Sequence, residues 1–220
     1  MKFYVVAEKL VDKDLKLPKI FQTPEEAHEY YCKLIADRLR DIFSDESMDW
    51  EEDYPDLKNI LAKDDESLIR WSVKINFLDE FKKNHCFIGD ENECEDEWKI
   101  KQFNRDNIKE GDRIYLTVSG GDFINLDNIN VYTSELDAEC AICKKIMDEY
   151  GIDYNQYHSY SKWEMSDFLE GENRESFPDE PRSFLYKTNS GSEFIIRDTV
   201  LDFEKEKNVQ TEIEEDLDEI

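Results

Sequence analysis

The sequence has few of the residues on which most enzymes and nucleic-acid-binding proteins depend. It contains only 3 histidines and 7 glycines in 220 residues, and no phosphate-binding G-x-x-x-x-G-K-[ST] or G-x-G-x-x-G motif is present. Lysine and arginine total 28 against 55 aspartates and glutamates, which gives a net charge of −27. A field of this sign repels nucleic acids and anionic membranes and attracts basic proteins. We therefore expect a basic protein partner, with no direct nucleic-acid ligand and no membrane association.

Long apolar runs are also lacking. The apolar run at residues 3–7 is too short for the core of a signal peptide, and no stretch approaches the roughly 18 apolar residues that could span a bilayer. The 5 cysteines, an odd number, indicate free thiols in a reducing compartment rather than a disulfide framework. These features predict a soluble, cytoplasmic protein, in the host cytoplasm if a phage encodes it.

The remaining composition is sufficient for a folded core, with 39% hydrophobic and 13% aromatic residues. Residues 2–7 have the β-branched and aromatic content of a strand, and residues 15–22, interrupted by Pro18, can return beside it. Thr23, Pro24 and Glu26 then form a helix start with a Thr-x-x-Glu capping box. An apolar stripe at helical spacing follows: Ala27, Tyr30, Tyr31, Leu34, Ile35, Leu39 and Ile42.

Two further β signals follow in the first half. Residues 69–77 alternate strictly between apolar and polar, which predicts a strand with one buried face. Residues 86–88 and 98–103 resemble a hairpin joined by a polar, acidic loop at residues 89–97.

The second half repeats this pattern. A shift of 111 residues places Tyr4 on Tyr115 and Thr23 on Ser134, and it predicts strands at 114–118 and 129–132 and a helix over 136–150. A final hairpin is predicted from residues 184–187 and 194–197. The alternative is a coincidence of common strand and helix-cap patterns. We predict an α+β fold of two tandem, duplicated β-β-α-β-β units with antiparallel sheets, at residues 1–108 and 109–203, followed by an acidic, flexible tail at 204–220.

The acidic residues are concentrated in blocks. Residues 44–66, an insertion in the first unit, contain ten carboxylates against two lysines, and residues 90–97 contain six carboxylates and no cation. Carboxylates can steer a basic partner, and aromatic side chains can supply the desolvated centre of an interface. The candidate partner-binding residues are therefore Asp45, Glu46, Asp49, Trp50, Glu51, Glu52, Asp53, Tyr54, Asp56, Asp90, Glu91, Glu93, Glu95, Asp96 and Glu97. The alternative is that Trp50 and Tyr54 dock the insertion on its own domain.

No pattern in the sequence indicates catalysis, a metal site or a cofactor. Cys140 and Cys143 form a C-x-x-C pair, but they lie inside a predicted helix, which favours buried cysteines over zinc ligands or a redox pair. Neither 122–128 nor 90–97 has the ligand spacing of an EF-hand loop.

Three functions are compatible with these observations. The first is a non-enzymatic nucleic-acid mimic that inhibits a basic, nucleic-acid-binding protein by occupying its nucleic-acid site, similar in kind to the acidic anti-defence and anti-CRISPR inhibitors of phages. The second is an immunity or antitoxin-like protein that neutralises one cognate basic toxin. The third is a structural interaction protein whose acidity is incidental.

Overall fold

A computed structural model describes residues 1–45, 50–82, 84–90, 93–120, 128–151, 173–189 and 191–206. The first unit consists of β1 (Lys2–Lys9), β2 (Lys19–Phe21), α1 (Pro24–Phe43), α2 (Trp50–Asp53), α3 (Leu57–Leu61), α4 (Asp65–Lys74), β3 (Asp79–Lys82), β4 (His85–Asp90) and β5 (Glu93–Asn104). The second unit consists of β6 (Arg113–Gly120), β7 (Asn130–Tyr132), α5 (Glu135–Glu149), β8 (Asn173–Ser176), β9 (Phe184–Lys187) and β10 (Glu193–Val200).

The predicted α+β class and the antiparallel sheets are confirmed. Each unit forms one five-stranded antiparallel sheet, with strand orders β2-β1-β5-β4-β3 and β7-β6-β10-β9-β8. The two orders are equivalent, and so is the register: Tyr4 pairs with Phe21 in the first unit, and Tyr115 pairs with Tyr132 in the second. The two units therefore share a topology. That this topology arose by duplication stays a prediction.

The two sheets pack face to face between α1 and α5, which gives four layers. Phe3 and Val5 of β1 belong to the same buried cluster as Ile114 and Leu116 of β6. The intervening residues of β1, such as Tyr4, point to the opposite face of the sheet and belong to the buried cluster under α1. Because both faces of β1 are covered, its sequence is a continuous apolar run rather than an alternating one. The two predicted units thus bury a common core.

The predicted start of α1 is confirmed. The Thr23 hydroxyl accepts a hydrogen bond from the Glu26 backbone N–H at 3.2 Å, and the Glu26 carboxylate accepts one from the Thr23 backbone N–H at 3.2 Å. Pro24 occupies the first turn, where its missing N–H has no helical partner to lose. This reciprocal cap fixes the N-terminus of the helix that covers the first sheet.

The strand predicted at residues 69–77 is wrong. Residues Asp65–Lys74 form α4, whose Asp64 cap accepts a hydrogen bond from the Ser67 backbone N–H at 3.0 Å. The helix ends at Lys74, and Asn76, two residues later, has a φ of 59°. The Phe77 N–H then bonds the Ser72 carbonyl at 2.9 Å, as in a Schellman motif. The alternating apolar side chains are half-buried around α4, against the cluster under α1.

The predicted hairpin at 86–103 is present, but its strands are longer than predicted. β4 continues to Asp90 and β5 begins at Glu93, so most of the predicted loop 89–97 is paired strand. In the second unit, the strand predicted at 184–187 matches β9, and the strand predicted at 194–197 lies within β10.

One buried cation joins three distant segments. Arg197 on β10 is 5% exposed and donates hydrogen bonds to the Pro18 carbonyl at 2.8 Å and to the carboxylates of Glu180 and Glu206, at 2.6 Å and 2.7 Å. Glu206 lies in a helical turn that begins at Phe203. The first residues of the predicted tail, 204–206, are therefore part of the folded unit, and residues 207–220 lie outside the described residues.

Candidate functional site

The acidic insertion is a small helical layer beside the end of α1. Helices α3 and α4 contact each other, and α4 packs along α1. The Arg40 side chain of α1 ties this layer down, because it donates hydrogen bonds to the Lys63 carbonyl at 3.1 Å and to the Asp65 carboxylate at 2.8 Å. The insertion thus holds its carboxylates on a folded support.

An aromatic cluster forms the base of this layer. The buried ring of Phe43, at the end of α1, lies 5.3 Å from the Trp50 ring, 6.2 Å from Tyr54, 5.5 Å from Trp71 and 4.6 Å from Phe77, as centroid separations. The pairs of Phe43 with Trp50, Tyr54 and Trp71 are edge-to-face, and each pair of this kind contributes about 0.5–1.5 kcal/mol beyond the area it buries. The Trp50 indole N–H also donates to the Ile42 carbonyl at 3.1 Å. Trp50 and Tyr54 are therefore half-buried within their own unit, which favours the internal-docking alternative.

The carboxylates that follow Trp50 face solvent. Glu52, Asp53 and Asp56 are exposed, and among the described residues none of them has an ion-pair partner. Asp45 is also exposed, one turn after the last exposed acid of α1. The predicted site residues Glu46 and Asp49 and the Glu51 side chain lie outside what the structure describes. The described acidic surface consists of Asp45, Glu52, Asp53 and Asp56.

Two predicted site residues in the second acidic stretch are buried instead. The Asp96 carboxylate accepts hydrogen bonds from the Arg38 side chain at 2.7 Å and from the Val11 backbone N–H at 2.9 Å, and Asp96 is 1% exposed. Glu97, also 1% exposed, pairs with Lys99 and with His85. Burial of a charge requires such partners. Asp96 and Glu97 therefore hold β5 to neighbouring segments and do not belong to the exposed surface.

The rest of that stretch lies largely outside the described residues. Asp90 and Glu93 are a strand pair at the end of the β4–β5 hairpin, but the side chains of Asp90, Glu93 and Glu95, and all of Glu91, lie outside the described residues.

Two carboxylates of α1 were missed in the sequence. Asp37 and Asp41 are exposed and lie one turn apart, and Asp45 continues the same i, i+4 spacing. Burial raises the pKa of Asp37, although the charges of Lys33 and Arg40 oppose the change. The i, i+4 spacing was the available signal, but each acid also has an arginine partner on α1: Arg40 for Asp37 at 3.4 Å and Arg38 for Asp41 at 3.6 Å.

The C-x-x-C pair, considered above as a possible zinc or redox site, packs inside the second unit. Cys140 and Cys143 are buried on α5, as predicted, and the Cys143 thiol lies 3.7 Å from the Met147 sulfur. Within the described ranges, no three His, Cys, Asp or Glu side chains are grouped so as to hold a metal ion. None of the helices in those ranges has the length and apolar character needed to cross a membrane.

The chain matches no model of a known protein family, and neither the curated proteins nor the solved structures contain a match to it.

Proposed function

We propose that this chain is a non-enzymatic acidic binding protein that inhibits a basic, nucleic-acid-binding protein by occupying its nucleic-acid site. The carrying observation is the exposure of Glu52, Asp53 and Asp56 on a helical insertion, without cationic partners among the described residues. An inhibitor of this kind would act in the same cytoplasm as its target, as an anti-defence protein of a phage would.

Charge density supports this proposal. Duplex DNA presents about one negative charge per 1.7 Å of its axis, so a basic cleft built for phosphates also attracts a dense row of carboxylates. Exposed charges steer association and raise the on-rate, and they make affinity fall as salt rises. With a net charge of −27, the chain carries a field strong enough for such steering.

The folded support of the insertion adds a second argument. Flexible acidic segments lose conformational entropy when they bind, whereas groups that are already fixed lose less. The ring of Phe43 packs against Trp50 and Tyr54, and Arg40 ties α4 to α1. The carboxylates between these anchors are thus held in place before any partner arrives.

The proposal is tested with a charge-neutral variant and a matched control. Glu52→Gln, Asp53→Asn and Asp56→Asn together remove three charges from the insertion. The control, Asp106→Asn, Glu110→Gln and Asp148→Asn, removes three exposed and unpaired charges elsewhere on the described surface. Both variants and the unmodified chain are used as bait against a bacterial lysate at low salt, and affinities for each retained protein are measured at several salt concentrations.

The insertion variant should bind the retained protein more weakly and with a flatter dependence on salt. Exposed ion pairs contribute about 0.2–1 kcal/mol each, so three lost pairs should weaken binding roughly three- to 150-fold. The control should keep most of the affinity. Equal affinities for the two variants at every salt concentration would remove the insertion from the binding surface.

A further inference from the structure

A cavity of about 300 Å³ lies in the second unit, between α5 and the ends of β6 and β10. Its lining is mostly polar: Ser119 and Ser192 supply hydroxyl groups, Asn128 an amide and Lys145 an amine, while the Phe194 ring forms an apolar wall. Ligand pockets in proteins have volumes of roughly 300–1,000 Å³. The cavity is therefore large enough for a small molecule only.

The amine of Lys145 has no carboxylate partner among the described residues. Its Nζ donates a hydrogen bond to the Ser119 hydroxyl at 3.0 Å, a neutral group. Other lysines with largely covered side chains are paired with acids: Lys9 with Glu193 at 2.7 Å, and Lys99 with Glu97. Lys145 is half-buried, so a small molecule in the cavity can reach its amine.

Burial, helped by the positive charge of Lys101, lowers the pKa of Lys145 to about 8. At pH 7.5 about a quarter of such amines are neutral, compared with about 0.1% for an ordinary lysine. The neutral amine is the nucleophilic form, and desolvation or a neighbouring cation is a known way to activate a lysine. The surroundings of Lys145 thus favour a reactive amine.

The same surroundings oppose folding. A half-buried ammonium without a counter-ion loses hydration and gains no ion pair in return. Titratable groups shifted by burial and by a specific neighbouring charge, inside a cavity, are concentrated at reactive sites. Lys145 combines these properties with a hydroxyl group beside its amine.

The other charges around the cavity restrict the ligand. Asp148 also lines the cavity, and the chain carries a net charge of −27, both of which disfavour an anion. Lys145 and Lys101 disfavour a cation. An uncharged, polar molecule fits best, since the two hydroxyls and the Asn128 amide can bind its oxygen atoms.

We propose that Lys145 binds a small, uncharged aldehyde covalently in this cavity, as a Schiff base. The lone pair of Nζ attacks the carbonyl carbon and gives a carbinolamine. The carbonyl oxygen then leaves as water with the two amine protons, and a C=N bond forms, so no oxidant or reductant is required. Ser119 is placed to donate a hydrogen bond to that oxygen, because its hydroxyl lies 3.0 Å from Nζ. This site lies on the second unit and does not depend on the proposed function.

Reductive trapping tests this proposal. The full chain is incubated at pH 7.5 with glyceraldehyde and sodium cyanoborohydride, which reduces the imine to a stable secondary amine, and peptide mass mapping gives the labelling rate of each lysine. Lys144 and Lys109 are the references, because both are exposed and neither lines the cavity. Lys145 should be labelled about tenfold faster or more, because its neutral fraction is larger although its basicity is lower. Labelling no faster than that of the references would overturn the proposal.

A cavity-filling variant and a matched control locate the binding site. Ser192→Leu fills the cavity, and Ser176→Leu makes the same change at an exposed position on β8 that does not line it. Thermal unfolding confirms that both variants are folded. Ser192→Leu should slow the labelling of Lys145 about fivefold, because the aldehyde can no longer take its position beside the amine, and Ser176→Leu should not. Equal rates in the two variants would contradict binding in the cavity.

The charge of the ligand is tested with a second aldehyde. Glyoxylate is small and anionic, so it should show less preference for Lys145 over Lys109 than glyceraldehyde does. A greater preference would overturn the assignment to an uncharged ligand.

Discussion

Replacement of the buried Arg197 should destabilise the fold strongly. Replacement by methionine keeps most of the side-chain volume and removes six hydrogen bonds, to the Pro18 carbonyl and to the carboxylates of Glu180 and Glu206. Breaking a buried ion pair by removing one partner costs about 3–5 kcal/mol, because the other charge is left without compensation. The Glu180 side chain is 24% exposed and the Glu206 side chain 10%, so water can partly solvate the abandoned carboxylates. We expect a loss near the lower limit, about 3 kcal/mol.

Thermal and urea unfolding of Arg197→Met measure this loss. For a chain of this size, about 3 kcal/mol corresponds to a decrease in Tm of roughly 6–12 °C. Arg70→Met is the control, because the Arg70 side chain is 76% exposed and its pair with Glu66 is a helix-surface contact. Such a pair contributes about 0.3–0.5 kcal/mol. Equal losses in the two variants would refute the view that Arg197 holds the three segments together.

The same cluster predicts a pH dependence. Burial raises the pKa of Glu180, but the hydrogen bonds and charge of Arg197 outweigh this effect, so the pKa lies below its ordinary value of 4.5. A carboxyl with a lowered pKa in the folded state contributes stability above its unfolded pKa, and this contribution disappears as the pH falls through the folded pKa. The difference in unfolding free energy between the unmodified chain and Arg197→Met should therefore decrease below about pH 4.5. A difference that stays constant down to pH 3 would contradict this assignment.

Two further predictions concern single side chains. Trp50→Ala should cost about 2–3 kcal/mol in urea unfolding, because it removes ring contacts with Phe43 and Phe77 and the bond to the Ile42 carbonyl; a loss below about 0.5 kcal/mol would show that the ring does not dock the insertion. Burial and the charge of Lys101 lower the pKa of Lys145 to about 8, so Lys145→Met should stabilise the chain at pH 7. This gain should shrink near pH 10, where the folded lysine is already neutral, and an equal gain at both pH values would contradict the assignment.

Local signals in the sequence were reliable where several agreed. Thr23, Pro24 and Glu26 predicted the start of α1, and the structure contains the full capping box. The shift that places Tyr4 on Tyr115 predicted corresponding strands in the two units, and the structure gives these strands an equivalent register. These features depend on neighbours within a few residues, or on a pattern that occurs twice, and neither requires knowledge of tertiary packing.

The error at residues 69–77 has a physical cause. Successive residues on a helix are turned by 100°, so apolar residues two apart fall on nearly opposite sides, and alternation normally excludes a helix. Here α4 is only a thin layer over α1, and both sides of it are half-buried. The ends of the helix are marked by two other residues. At the start, the Asp64 carboxylate accepts a hydrogen bond from the Ser67 backbone N–H, and beyond the end, Asn76 adopts a left-handed conformation.

The site was less predictable than the fold because charge in a sequence does not show exposure. Asp96 and Glu97 belong to the same acidic run as Glu93, yet Arg38 and His85 reach them from distant positions and hold them in the core. Trp50 was an interface candidate on composition, and its burial depends on the Phe43 ring at the end of α1. The burial of these side chains depends on contacts between segments that the sequence alone does not predict.

Competition with duplex DNA tests the central claim most directly. A protein retained by the full chain at low salt is titrated with duplex DNA, and release of the chain is measured. If the acidic surface of Asp45, Glu52, Asp53 and Asp56 occupies a nucleic-acid site, DNA should displace the chain completely, and the Glu52→Gln, Asp53→Asn, Asp56→Asn variant should be displaced at lower DNA concentration. If a single retained protein is not released from the chain by DNA and dissociates only at high salt, the result would contradict the proposed mimicry and favour a cognate inhibitor.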